Sequence, residues 1–485
     1  MYYSPLLLCL GLLSTEAHCL SNEKVRAAAG AFASNSDGSL KLSPVAAPVQ
    51  GGGNPGSAST WQLNIDDTSS GYKQTITGFG GAVTDATVTS FNTLSASTLN
   101  QLLNELMTTA GAGFALMRHT IGASDLSGDP AYTFDDNGGK ADPNLNGFNL
   151  GDRGDAMASL LAKMKSLQSS LKIFGSPWSA PGWMKLNGVI DGTTNQNNLN
   201  DGYLTNNGAQ YSSAFAQYFV KYIQAFEAQG AKIDAITVQN EPLNSQAGYP
   251  TMYMFADEQG NLIQNYIGPA LANAGLDTKV WAYDHNTDVP DYPQTVINKA
   301  GQYVDTVAWH CYATNLDWTV LSNFKQSNPN VQQYMTECWT PSTGAWHQAA
   351  DFTMGPLQNW ASGVAAWTLG TDAQDGPHLS SGGCGSCTGL VTINNGAYTF
   401  QTAYYMMAQF SKFMPPGATV LSGNGSYSYS NGGIQSVASK NPDGSRTVVI
   451  QNTFGNDVYV HLNTKSGQEW SGNVQANSVT TWVLP

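Results

Sequence analysis

Eight apolar segments recur between Ile76 and Leu369, and they constrain most of what this chain can become. They are Ile76–Val83, Phe114–Ile121, Lys172–Trp178, Ala235–Glu241, Lys279–His285, Thr306–Tyr312, Gln333–Trp339 and Gly363–Leu369. Their β-branched and aromatic content predicts strands buried on both faces, as in a parallel sheet. Helical patterns separate most of them. The clearest is Tyr211–Gln229, where Phe215, Tyr218, Phe219, Tyr222, Ile223 and Phe226 recur three and four residues apart. Leu99–Met107 and Asp155–Leu167 show weaker versions of the same pattern. Eight strand–helix units predict an α/β fold, a (β/α)8 TIM barrel over residues 75–413. A doubly wound open sheet is the competing arrangement, but no Gly-x-Gly-x-x-Gly phosphate loop follows the first strand.

The rest of the chain follows a different rule. A long loop, Gly370–Gly389, precedes a helix around Thr402–Phe413, and Pro415-Pro416-Gly417 stops that helix. Beyond it, short alternating runs at Ile434–Val437, Thr447–Gln451, Asp457–Leu462 and Val479–Leu484 are separated by Asn-Gly, Asp-Gly and Ser-Gly turns. They predict a small antiparallel β-sandwich side domain over residues 414–485. Residues 58–74, with the alternation of Trp61–Ile65, are expected to add a strand to it, so that both ends of the chain build one domain. Residues 20–57 are rich in Ala, Ser, Gly and Pro and are expected to form a flexible leader with no core of its own, order beginning near Trp61. Leu6–Leu13 forms the apolar centre of a secretory signal over residues 1–19, and nothing later reaches ~18 unbroken apolar residues. A secreted, extracellular monomer without membrane insertion is expected.

Charge narrows the partners. Thirty-four acidic and 20 basic side chains give a net charge of −14, which argues against nucleic acid or an anionic surface. Only 11% of residues are charged, against roughly 25% in an average domain. Gly, Ser, Thr, Asn and Gln supply the polarity instead, as suits a neutral polyhydroxylated ligand. Outside the signal, Cys311, Cys338, Cys384 and Cys387 permit three pairings. A local Cys384–Cys387 disulfide is expected in its Gly/Ser loop, while Cys311 and Cys338 could pair or remain buried thiols. No further Cys or His stands at a zinc-binding spacing, and no metal or organic cofactor is implied.

In a barrel of this kind chemistry sits at the carboxyl ends of the strands. Asp85, Arg118, His119, Trp178, Asn240, Glu241, His285, His310, Tyr312, Glu337, Trp339 and Trp367 all fall at or near those predicted ends. Single buried Trp, Tyr or His residues usually only pack; their gathering at one rim is what carries weight. Pro242 ends the fourth strand and leaves Glu241 at its tip, and Glu337 occupies the same place on the seventh. Those strands are nearly opposite in an eight-membered ring. Two such carboxyls fit a retaining glycosidase, one as nucleophile and one alternating between acid and base. The bland alternative is that either glutamate caps a helix or pairs with Arg118. Asn240 beside Glu241 could hold a sugar hydroxyl, while Tyr312 and Arg118 could keep Glu337 ionised. Glu241 is therefore assigned as acid/base and Glu337 as nucleophile.

Several motifs then resemble glycoside hydrolase family 30. They are Gly78-Phe79-Gly80-Gly81-Ala82-Val83-Thr84-Asp85-Ala86, Arg118 with Ala123-Ser124-Asp125-Leu126-Ser127, and Ser176-Pro177-Trp178-Ser179-Ala180-Pro181-Gly182-Trp183-Met184-Lys185. Gln239-Asn240-Glu241-Pro242, His310-Cys311-Tyr312, Thr336-Glu337 and Phe410-Ser411-Lys412-Phe413-Met414-Pro415-Pro416-Gly417 complete the set. The resemblance implies a (β/α)8 barrel with a β-sandwich side domain, retaining hydrolysis, Glu241 as acid/base and Glu337 as nucleophile. It also implies that Asp125, Trp178, Asn240 and Trp367 line the subsite for the sugar on the non-reducing side of the cleaved bond; Tyr312, Arg118 and His310 join them as binding residues. Cys338 and the Cys384–Cys387 loop depart from the family pattern.

Within that family the low charge and the Ser-Ala-Pro-Gly-Trp-Met-Lys run look most like the fungal endo-β-1,6-glucanases, with β-glucan as substrate. A glucosylceramidase or a xylanase is the alternative, although Gly370–Gly389 lacks the Arg or Lys that a xylanase selecting acidic branches would want. From another class, a noncatalytic glycan-binding barrel is possible in principle; both glutamates argue against it.

Overall fold

The computed structural model describes residues 28–193, 198–199, 211–341 and 345–485. The expected signal and the first part of the leader lie outside these residues. Eight parallel strands close into a barrel. They are β1 (Gly78–Val83), β2 (Leu116–Thr120), β3 (Lys172–Ser176), β4 (Ala235–Thr237), β5 (Lys279–Asn286), β6 (Val304–His310), β7 (Gln332–Trp339) and β8 (Gly363–Trp367). Each falls inside or within two residues of an expected segment, and β8 returns to pair with β1. The main departure is β4, which leaves the ladder after Thr237 rather than at Glu241. The Asn240 and Glu241 N–H groups still donate to the Pro177 and Asp284 carbonyls at 2.8 and 3.0 Å, so the tip is held without regular pairing.

Helices fill the outer ring. Ser212–Ala228 buries Phe215, Tyr218, Phe219, Tyr222, Ile223 and Phe226 completely, the stripe anticipated from their spacing. Inside the barrel, Leu116, Phe174, Ala235, Trp281, Ala308, Tyr334 and Ala365 form a plug. Trp281 lies flat on Tyr334, ring centroids 4.4 Å apart. This plug leaves the carboxyl ends of the strands as the open mouth, where polar groups can gather.

The side domain is a sandwich built from both chain ends. Ser59–Asp66 runs parallel to Val458–Thr464 and antiparallel to Thr419–Asn424. Its core joins Leu63 and Ile65 to Ile434, Val448, Ile450, Val460, Leu462 and Trp482. Thr419–Asn424, Tyr427–Tyr429 and Glu469–Val474 are strands that the sequence reading did not single out.

The leader expectation needs correction. Gly30–Asn35 is a full antiparallel partner of Ser478–Leu484, and Val49–Gln50 pairs with Glu469–Val474. Composition misled because this pairing is made by backbone groups. Ala31 sits opposite Trp482, where the bulky partner supplies the apolar area and a methyl suffices. Phe32 stacks on Phe413 at 4.7 Å, tying the strand to the barrel's last helix, Thr402–Ser411, and the turn after it. Deleting residues 28–36 should therefore expose the edge of Ser478–Leu484 and lower the calorimetric melting temperature by several degrees. An unchanged melting temperature would restore the flexible-leader reading.

Candidate active site

The strand tips converge on one buried carboxylate, Asp284, near the end of β5. Its Oδ2 accepts from Arg118 Nη2 at 2.9 Å, Ser176 Oγ at 2.7 Å and Thr237 Oγ1 at 2.8 Å. Its Oδ1 accepts from Thr336 Oγ1 at 2.6 Å and His310 Nε2 at 3.0 Å. Five strands or their tips thus meet at one group carried by a sixth. Burial opposes its charge, but Arg118 and His310 outweigh burial and hold the carboxyl well below its ordinary range.

Arg118 and His310 carry that order outward to the two glutamates. Arg118 is fully buried; Nη1 donates to Glu337 Oε2, and Nη2 also donates to Asn240 Oδ1 at 2.7 Å. Tyr312 Oη donates to Glu337 Oε1 at 2.9 Å. His310 Nδ1 stands 3.3 Å from Glu241 Oε1 and 4.0 Å from Glu337 Oε1. The shared nitrogen limits the two oxygens to about 7 Å of separation, short of most of the ~6.5–9.5 Å range of inverting pairs and compatible with the ~5–5.5 Å of retaining ones. Asn244 Nδ2 donates to Glu241 Oε2 at 2.9 Å, and His285 Nδ1 lies 3.6 Å from Oε1. Glu241 itself has φ 47°, a left-handed backbone rarely taken by a glutamate.

The two carboxyls are driven apart. For Glu241 burial raises the pKa, yet His310, His285 and Asn244 hold it down to about 2. For Glu337 burial prevails over His310 and Arg118, the Glu241 charge adds to it, and the carboxyl rises above its usual range. His310, though buried, faces Glu337 and Asp284 and keeps its own proton up to about 9.

An aromatic pair packs against Arg118. Trp178 and Trp367 lie 5.0 Å apart between ring centroids, and the Arg118 guanidinium sits 4.8 Å over Trp178. Cys384 and Cys387 are bonded as expected and pack against this pair. Asp125 reaches within 4.8 Å of both sulfurs. Burial and the charges of Glu337 and Glu241 push Asp125 up to about 7, and its Oδ1 has no protein partner. Cys311 and Cys338 are also bonded, joining the tips of β6 and β7 next to Tyr312 and Glu337.

The nine residues expected to react or bind come together in two layers, whereas Asp85, held by Ser127, Tyr132 and Arg153, and His119, packed on Tyr222 and Phe226, do not join them. Glu241, Glu337, Asp125, Asn240, Tyr312, Trp178 and Trp367 gather around Arg118 and His310 at the strand tips. Arg118 and His310, expected among the binding residues, are wholly enclosed and bond to carboxylates instead. Asp284, Asn244, Ser176, Thr237 and Thr336 were not anticipated. The Tyr283-Asp284-His285 triplet held the signal for Asp284, but β5 bulges there, with φ 79° and 67° at Tyr283 and Asp284, so strand alternation does not say which residue turns inward.

The ligand atoms of Glu241, His285 and His310 lie within 4.8 Å of one another, but a His310 that retains its proton is a poor ligand. Asp125, Cys384 and Cys387 offer no thiolate once the sulfurs are bonded. At the opposite mouth of the barrel a cavity of about 370 Å³ holds Asp234 and Asp277, each already paired with a lysine at 2.8 Å.

The raised His310 pKa has a stability consequence. Its ion pairs stabilise the fold fully below pH 6.5, and that contribution is lost as pH rises through about 9. Urea unfolding of the wild type should accordingly lose about 3 kcal/mol relative to His310→Gln between pH 6 and pH 10. Parallel profiles for the two proteins would refute the charged imidazole.

The comparisons agree with this geometry. The Glycosyl hydrolase family 30 TIM-barrel domain model matches residues 76–414, and the Glycosyl hydrolase family 30 beta sandwich domain model matches residues 417–482. The chain is 79% identical over 460 residues to "Endo-1,6-beta-D-glucanase BGN16.3" of Trichoderma harzianum, covering 95% of this chain and 94% of that protein. It is 77% identical to "Endo-1,6-beta-D-glucanase neg1" of Aspergillus fumigatus, covering 96% of each. A solved structure titled "The endo-beta1,6-glucanase BT3312" superposes with a TM-score of 0.79 at 26% identity, covering 94% of this chain and 99% of that one. With a barrel of eight strands, a sandwich drawn from both ends and facing glutamates at the rim, the chain belongs to glycosyl hydrolase family 30 and is a glycoside hydrolase.

Proposed function

We propose that this protein is a secreted, retaining endo-β-1,6-glucanase that cleaves β-1,6-glucan through Glu337 and Glu241. The observation that carries the substrate is identity of 79%, 77% and 63% to three proteins named endo-1,6-beta-D-glucanases, each across at least 94% of this chain. Glu337 attacks the anomeric carbon while Glu241 protonates the departing 6-oxygen. Water, deprotonated by Glu241, then releases the sugar from Glu337 with its β configuration restored. Arg118 and Tyr312 hold the Glu337 oxygens for attack. His310 Nδ1, which faces both glutamates and keeps its own proton, is the group that can pass a proton to Glu241 as the sugar enters. Asn240, whose Oδ1 is taken by Arg118, has amide donors left for a hydroxyl. Secretion is supported by the Leu6–Leu13 run and the two disulfides; among the described residues no helix is long and apolar enough to cross a membrane.

Action within a chain needs contacts beyond the cleaved bond. A cavity of about 460 Å³ continues from Tyr312 past Trp339, Leu316, Gln348 and Asp351 to Gln435 of the sandwich. Trp339 is 52% exposed there, an apolar face that a sugar ring can cover.

Linear β-1,6-glucan should yield short β-1,6 oligomers, with the β anomer first in proton NMR, while xylan, β-1,3-glucan and glucosylceramide remain uncut; an initial α anomer overturns the retaining cycle. Glu241→Ala should lower kcat about 10²–10⁴-fold. Azide should then give a β-glycosyl azide from Glu241→Ala and an α-glycosyl azide from Glu337→Ala, and the reverse stereochemistry would exchange the two roles. Trp339→Ala should raise KM for long glucan about 5- to 10-fold, corresponding to roughly 1 kcal/mol of stacking, and leave kcat on a disaccharide unaltered.

A further inference from the structure

The loop between β2 and the helix Gly151–Leu167 gathers a second set of oxygen donors, away from the glutamates. Asp135 is 1% exposed, and neither of its carboxylate oxygens has a hydrogen-bond partner. A methyl placed on Gly147 would stand 3.0 Å from Asp135 Oδ1, 3.4 Å from Asn137 Oδ1 and 3.4 Å from Asp142 Oδ2. Three oxygens from three residues therefore converge on the one bare face of that glycine. Asp136 is not among them, because the Thr133 N–H and hydroxyl both donate to its carboxylate. Asp142 Oδ2 also accepts from Gly147 N–H at 2.7 Å, which fixes it at the edge of the same point.

A buried carboxylate without donors is unfavourable unless it takes up a proton or a cation. Burial, with the charges of Asp142 and Asp136, pushes Asp135 only up to about 6, so protonation is incomplete at neutral pH. Lys221 is the cation on this side, but its ammonium donates to the Leu145 carbonyl at 2.9 Å. The donor set is two carboxylates and an amide oxygen. It has no nitrogen or sulfur, which disfavours zinc and favours a hard cation tolerant of irregular coordination.

We propose that Asp135, Asn137 and Asp142 bind a calcium ion beside Gly147, with water and main-chain carbonyls completing the shell. Its effect would reach the pocket through the backbone. Trp183 Nε1 donates to the Asp135 carbonyl at 2.8 Å, and Trp183 lies in the turn Gly182–Met184 that follows Trp178. The same loop after β2 carries Asp125 near its start. The ion would thus pin together the two loops that supply Asp125 and Trp178.

The test uses full-length protein stripped with chelator and titrated with calcium chloride. Calorimetry should show one calcium per chain, with a melting temperature raised by several degrees, and Asp135→Asn should lose both. Absence of binding in the wild type, or unchanged binding in Asp135→Asn, overturns the site. Should Asp135→Asn fail to fold, Gly147→Ala leaves every carboxylate in place and sets a methyl 3.0–3.4 Å from all three oxygens, crowding the cation. Loss of the calcium shift in that variant supports the proposal, and retention of the shift overturns it.

Discussion

A single enclosed ion pair, Arg118 with Asp284, underlies the geometry of the catalytic rim. Both side chains are fully buried, so neither charge is screened and neither can be removed alone without stranding the other. Breaking such a pair costs about 3–5 kcal/mol in comparable settings. Its larger effect is on position. Asp284 draws in donors from β2, β3, β4, β6 and β7, and Arg118 and His310 pass that fixed arrangement on to Glu337 and Glu241. The glutamates are thereby held from beneath by enclosed groups.

The remainder of the fold braces this cluster from outside. Two disulfides lie at the rim, one joining the tips of β6 and β7 and one closing the loop beyond β8 against Trp178 and Trp367. The sandwich reaches the barrel through its outer helices, for instance where Gln358 Nε2 donates to the Ser436 carbonyl and Gln451 Nε2 to the His347 carbonyl. Gln435 extends the sandwich to the groove beside Trp339, so the second domain contributes to the surface along which a chain could lie.

Much of the architecture was legible because it rests on local patterning. The apolar runs of β1 to β8 and the stripe from Phe215 to Phe226 each encode their own burial. Pro242 pointed to Glu241 at the end of the fourth strand, but β4 leaves the ladder at Thr237 and the glutamate is held beyond it. Elements whose partners are distant in sequence were harder to see. Gly30–Asn35 has no apolar pattern of its own and is a strand only because Ser478–Leu484 offers it an edge. Asp284 could not be told from His285, since a bulge with left-handed backbone decides which of them faces the barrel interior.

Residue type and spacing along the chain carried the eightfold strand–helix repeat, the barrel with its sandwich and the expectation of two glutamates at the rim. It took the folded arrangement to show that Arg118 and His310 lie enclosed beneath the two glutamates and that Cys311 bonds Cys338. Those outcomes depend on distances of a few ångströms between groups tens to hundreds of residues apart. At such distances burial and neighbouring charge, which no one-dimensional pattern records, set the balance.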